Sequence, residues 1–183
     1  MFIKIKELEL RKIEYDENIA PGQIDLGQEV TQTGVVRATG RAELIRENRG
    51  PHEVVEDIRL VGRFSAKVET LCGRCLDPVE HSLTEEFDLI YRPTGVDAVK
   101  EDASIGLAET EIGYYRGEGL ELNEVIKEQI LLALPIRPLC RADCKGLCPR
   151  CGSNRNVESC DCAQTVADPR WSALEDLRKK LES

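Results

Sequence analysis

VVEDIRLVGRFSAKVETL (residues 54–71), CGRCLD (72–77) and PVEHSLTEEFDLIYR (78–92) follow one another without a gap. The first and third runs alternate apolar with polar side chains, and the first is rich in β-branched residues. That is the pattern of half-buried strands. The six residues between them are short enough to turn one strand back beside the other. Upstream, VTQTGVVRATGRAELIRE (30–47) has the same style, and ENRGPH separates it from the next run. Together these segments predict an antiparallel meander. Gly34, Gly40 and Gly62 interrupt it and are expected to mark bulges or bends. Residues 1–10 (MFIKIKELEL) read as a further short strand, followed by a polar turn at Asn18 to Gly22.

Beyond Tyr91 the character changes. Residues 93–112 are acidic, small and aperiodic, the composition of a long mobile loop. Ile112 to Tyr115 can return as a strand. Residues 123–134 (NEVIKEQILLAL) predict a helix with Asn123 as N-cap and a stripe of Val125, Ile126, Gln129, Ile130 and Ala133. Pro135 ends it. A second helix is expected to open at Asp168-Pro169, with Trp171, Leu174, Leu177 and Leu181 on its apolar side. The expected fold is α+β. An antiparallel β-rich domain ending in a helix spans 1–135, and a cysteine-rich, zinc-binding C-terminal segment with its helix spans 136–183.

The chain has 183 residues, a formal charge of −9 and eight cysteines. No apolar run approaches the ~20 residues of a membrane span, and the N-terminus lacks the pattern of a signal peptide. A cytoplasmic protein is therefore expected, in which thiols stay reduced and eight cysteines point to metal rather than disulfides. The charge is unevenly spread. Residues 1–135 hold 16 basic and 27 acidic side chains, residues 136–183 hold 9 and 7. Bulk coating of nucleic acid is excluded by the total. A local contact is not, because Arg137, Arg141, Lys145, Arg150 and Arg155 face only Asp143 within their stretch of sequence. Those cations suit a phosphate-backbone or partner contact, or they compensate metal-bound thiolates.

Cys148-Pro149-Arg150-Cys151 and Cys160-Asp161-Cys162 offer four sulfurs, enough to close a tetrahedral zinc site. Cys72 and Cys75 form half a site, whose partners are Cys140 and Cys144 once the other four are assigned. In the alternative pairing, Cys140 and Cys144 join the C-terminal set. A redox role for Cys72 and Cys75 needs a strand-to-helix turn, whereas strands flank this pair. No catalytic constellation is visible. His52 and His81 read as surface histidines, and neither a phosphate loop nor a serine elbow is present.

The motifs ILLALP (130–135), PLC (138–140), CKGLCPRCG (144–152), Asn154-Arg155-Asn156, CDC (160–162) and DPR (168–170), with Cys72-Gly73-Arg74-Cys75 upstream, resemble the YceD family, the large-subunit ribosomal RNA accumulation proteins. Position 155 is Arg where many relatives place Leu. The resemblance implies a cytoplasmic, non-catalytic factor for the synthesis, processing or stability of 23S ribosomal RNA. Its partner would be ribosomal RNA, a large-subunit ribosomal protein or an assembly intermediate, with no membrane and no small-molecule substrate. The rival expectation is a zinc- or thiol-based redox-responsive regulator.

Overall fold

In the computed structural model, which describes residues 1–50, 53–96, 112–162 and 178, the runs flanking the first cysteine pair are long antiparallel strands. In chain order the elements are β1 (Phe2–Lys4), α1 (Ile5–Leu8), β2 (Ile13–Ile19), β3 (Val30–Gln32), β4 (Val36–Gly50), β5 (Glu53–Leu71), β6 (Pro78–Pro93), β7 (Ile112–Tyr115), β8 (Gly119–Glu121) and α2 (Leu122–Ala133). The six-stranded sheet runs β2-β4-β5-β6-β7, and β3 pairs with β5 beyond the end of β4. β1 and β8 form a separate antiparallel pair. The architecture is α+β and its pairings are mostly antiparallel, as the sequence predicts.

Several local expectations are corrected. Residues 1–10 are not one strand: β1 lasts three residues and gives way to a single helical turn. The expected turn at Asn18 to Gly22 starts too early, because β2 pairs with β4 as far as Ile19. The run 30–47 is two strands, broken between Gln32 and Val36, that pair with successive parts of β5. β7 runs parallel to β6, so the sheet is not a pure meander. α2 starts at Leu122, and Glu121 rather than Asn123 occupies the cap position, without a side-chain cap bond. Most of the expected loop at 93–112, and all but Arg178 of the helix expected from Asp168, lie outside the described residues. Among the described residues, no helix is long and apolar enough to cross a membrane.

Period-2 alternation places the core. Val36, Ala38 and Ala42 of β4, Ile58, Leu60, Phe64, Ala66 and Val68 of β5, and Phe87 and Tyr91 of β6 are buried. Leu122, Val125, Ile126 and Ile130 of α2 belong to the same cluster. Each fully buried aliphatic side chain contributes roughly 1.5–3 kcal/mol. This cluster is distinct from the one around Cys72, Cys75 and Cys144.

Gly40 and Gly62 are not bulges. Tyr15, Gly40, Gly62 and Phe87 form one register row across β2, β4, β5 and β6. A Cβ at either glycine would run into the Tyr15 hydroxyl, so the two glycines make room for that side chain. The register shift between β4 and β5 comes later, between Asn48 and Gly50. Tyr15 is buried and its hydroxyl has no hydrogen-bond partner among the described residues. Burial pushes its pKa up to about 12. A buried unpaired hydroxyl is costly. Tyr15→Phe keeps the ring and removes that cost, so it is expected to stabilise the fold by about 1 kcal/mol, read as a rise in the urea midpoint at unchanged slope.

Candidate metal centres

The β5–β6 connection is a six-residue turn whose backbone is pinned at both ends. Cys72 N donates to Asp77 O at 2.8 Å, and Leu76 N donates to Cys72 O at 3.0 Å. Leu76 takes φ of 62°, the left-handed region. The second pair repeats this turn. Cys148 N donates to Ser153 O at 2.8 Å, and Gly152 N donates to Cys148 O at 2.9 Å. Gly152, with φ of 74°, stands where Leu76 stands in the first. In each turn the two sulfurs of the C-x-x-C pair end close enough together to share an ion.

The chain after α2 returns to the first turn. Gly73 N donates to Pro138 O at 2.8 Å, and Leu147 N donates to Arg74 O at 2.9 Å. Arg74 Nη1 donates to Cys144 O at 2.7 Å. These contacts deliver Cys140 and Cys144. Cys72 Sγ lies 3.9 Å from Cys144 Sγ, and Cys75 Sγ lies 3.6 Å from Cys140 Sγ. Cys148, Cys151, Cys160 and Cys162 gather separately, and within each group of four the sulfurs are all within 4.8 Å of one another. The pairing with Cys140 and Cys144 in the first group is therefore the one the structure adopts.

The distances decide the chemistry available. A disulfide needs sulfurs about 2.05 Å apart, and all eight cysteines are free. A tetrahedron with metal–sulfur bonds of about 2.3 Å has edges of about 3.8 Å, which matches the two separations in the first group. The donor set is sulfur alone, which suits zinc. Cys72, Cys75, Cys144 and Cys148 are buried, whereas Cys140 and Cys151 are exposed.

Hydrogen bonds divide the protons unevenly within each group. Cys72 is lowered to about 6, chiefly by the backbone N–H of Cys75 and then that of Cys140, which approaches its sulfur at 3.4 Å. For Cys144, burial pushes upward, but the Asn156 amide at 3.3 Å and the Gly146 backbone outweigh it and the thiol is lowered. Cys140 is raised by burial. In the second group Cys148 is lowered to about 6 by the backbone N–H groups of Cys151 and Arg150. The Ser153 hydroxyl, 3.1 Å away, lowers Cys151. Cys162 is raised to about 12, first by its bond to Cys151. Each group thus contains sulfurs pushed toward the thiolate beside others pushed toward the thiol, and a divalent cation would displace any remaining protons.

The five predicted cations are placed around these turns. Arg137, Arg141, Lys145 and Arg150 are exposed, and Arg155 is half-buried. Arg141 lies 3.6 Å from Asp143. Among the described residues, the other four form no ion pair. The bonds made by Arg74, Asp77, Asn154 and Asn156 were not evident from sequence. For Arg74 the available signal was its place inside a C-x-x-C turn.

With this geometry in hand, residues 60–178 match the sequence model of the family described as large ribosomal RNA subunit accumulation protein YceD. The chain belongs to the YceD family. The matched stretch includes all eight cysteines. An uncharacterized protein of Mycobacterium tuberculosis is 34% identical over 128 residues, which cover 68% of this chain and 57% of that protein. A protein of Arabidopsis thaliana named large ribosomal RNA subunit accumulation protein YCED homolog 1, chloroplastic, is 30% identical over 150 residues, 68% of this chain and 46% of that one. The chain thus spans about half the length of the curated relatives it matches. No solved structure matches it.

In this YceD chain the two cysteine turns differ in one testable respect. A non-glycine residue in the left-handed region costs roughly 1–2 kcal/mol, and Leu76 is 57% exposed, so its side chain returns little by burial. Leu76→Gly copies the second turn. It is expected to raise stability by about 1 kcal/mol, read from thermal unfolding under metal-replete, anaerobic conditions.

Proposed function

We propose that this chain is a non-catalytic factor for the synthesis, processing or stability of 23S ribosomal RNA, acting in the cytoplasm during large-subunit biogenesis and held in shape by two structural zinc ions. The observation that carries this reading is the family match over residues 60–178, whose description names ribosomal RNA accumulation. The name of the Arabidopsis relative says the same of that protein. The zinc ions are assigned to the two four-sulfur groups. Each offers four sulfurs, enough to fill a tetrahedral site, which would leave no open position for a substrate and favours a structural over a catalytic role. The exposed Arg137, Arg141, Lys145 and Arg150, carried on metal-held turns, supply the contact to an assembly intermediate, while the acidic sheet discourages non-specific contact with RNA.

Cross-linking in cells tests the role. Recovery of large-subunit precursor RNA or of a ribosomal protein is expected, and which of them appears identifies the direct partner. Recovery of neither overturns the reading. Metal analysis of anaerobically purified protein is expected to give about two zinc ions per chain, and a value near zero overturns the zinc assignment. The second reading, a thiol-based redox-responsive regulator, is favoured by the exposure of Cys140 and Cys151. It expects mild peroxide to expel zinc and a reductant to restore binding.

A further inference from the structure

The eight residues between Cys151 and Cys160 do more than span the gap between ligands. Asn154 and Asn156 sit in this loop, and both reach toward the first cysteine group. Asn154 Nδ2 donates to both carboxylate oxygens of Asp77, at 3.3 and 3.1 Å, two residues beyond Cys75. Asn156 uses both ends of its amide. Its Oδ1 accepts from Lys145 N at 2.8 Å, and its Nδ2 donates to Cys144 Sγ at 3.3 Å and to Asn154 Oδ1 at 2.9 Å. The backbone reinforces the path: Asn156 N donates to Asn154 Oδ1 at 3.0 Å, and Arg155 N donates to Gly146 O at 2.9 Å. An isolated bridge pairs Leu147 with Asn154. A loop anchored at both ends by ligands of the second group therefore holds a ligand of the first.

We propose, resting on the zinc reading above, that Asn156 is a positioning residue that couples the two four-cysteine groups, so that a metal ion in one raises the affinity of the other. The physical reason is shared ordering. An ion bound by Cys148, Cys151, Cys160 and Cys162 fixes both ends of the 152–159 loop. The loop then presents the Asn156 amide to Cys144 already aligned, and that N–H holds the sulfur in the position the ion requires. Without the second ion the loop must be ordered when the first ion binds, at the expense of its affinity. By linkage the effect is reciprocal.

The test uses the full chain, anaerobic, with zinc titrated against a chromophoric chelator. Asn156→Ala is expected to weaken the site of Cys72, Cys75, Cys140 and Cys144 by about 10–100-fold. Disabling the other site with Cys151→Ser and Cys160→Ser is expected to weaken that same site by about 5–150-fold. Combining the two changes should then cost little more than either alone. Equal losses from Asn156→Ala whether or not the second site is intact would overturn the coupling, as would no loss at all. Asn156→Asp keeps the acceptor for Lys145 N and removes the donor to Cys144, so it should reproduce the loss without the cavity of alanine. Cobalt supplies a readout that a merely structural role would not move. The sulfur-to-cobalt charge-transfer band of the first site should shift in Asn156→Asp, because its sulfur loses a hydrogen bond. Wild-type chain that takes up no zinc overturns both this proposal and the zinc assignment. Two ions bound independently overturn the coupling and leave the assignment standing.

Discussion

Cys72→Ser is expected to remove one bound metal ion and to free the segment from Pro138 to Asn156 from the end of the β5–β6 hairpin. Cys72 is fully buried, and its sulfur accepts the backbone N–H of Cys140 while lying against Cys144. It thus stands where the turn meets the returning chain. Serine offers an oxygen donor that is harder, less acidic and shorter in reach, so a tetrahedral sulfur site loses its best-enclosed ligand. Metal content should fall from about two ions per chain to about one. Amide exchange across 138–156 should accelerate, because the backbone bonds to Gly73 and Arg74 depend on the turn keeping its shape. The sheet should persist, since its hydrophobic cluster is separate from the one around the cysteines. Full metal content together with unchanged exchange would show that the four sulfurs are not a metal site.

What was legible in the sequence was local in the chain. The two C-x-x-C turns and the strands on either side of the first are defined within a few residues, and periodicity or spacing reads them directly. The division of the cysteines was legible only in part: Cys140 and Cys144 could complete either set, and the contacts of Gly73 and Arg74 with the returning chain select the two groups of four. What escaped was set by contacts between distant residues. Asn154 meets Asp77 across 77 positions, and Arg74 meets Cys144 across 70. Neither bond leaves a pattern along the chain. The parallel return of β7 is of the same kind, since alternation predicts a strand without its direction. Gly40 and Gly62 were misread for a related reason. A glycine within a strand signals either a bulge or a close approach, and only the position of Tyr15, on another strand, separates the two. The left-handed conformation of Leu76 had one available signal: Gly152 occupies the equivalent position of the second turn.

The largest stability effect outside the cysteine groups is expected at a buried ion pair that no sequence pattern announced. Arg92 and Asp57 are both about 95% buried, on the neighbouring strands β6 and β5. Their contact is bidentate, with Nε to Oδ1 at 3.1 Å and Nη2 to Oδ2 at 2.9 Å, and Nη2 also donates to Glu47 Oε2 at 2.8 Å. Removing both charges from water is expensive, and the geometry of the fork offsets much of that cost. Deleting one partner leaves the other charged group buried without its main counter-charge. Asp57→Ala is therefore expected to cost about 3–5 kcal/mol, equivalent to a fall in Tm of roughly 6–20 °C for a domain of this size. The control separates the cost of an orphaned charge from the net contribution of the pair. Asp57→Leu combined with Arg92→Met replaces both groups by apolar side chains, and Glu47, at 46% exposure, can turn to solvent. The double variant should recover most of the loss, because a buried pair contributes little beyond what well-packed apolar groups provide. If the double variant were as unstable as Asp57→Ala, the pair would be contributing net stability through its hydrogen bonds. If Asp57→Ala cost less than about 1 kcal/mol, water would be reaching the Arg92 guanidinium and the site would behave as a surface pair.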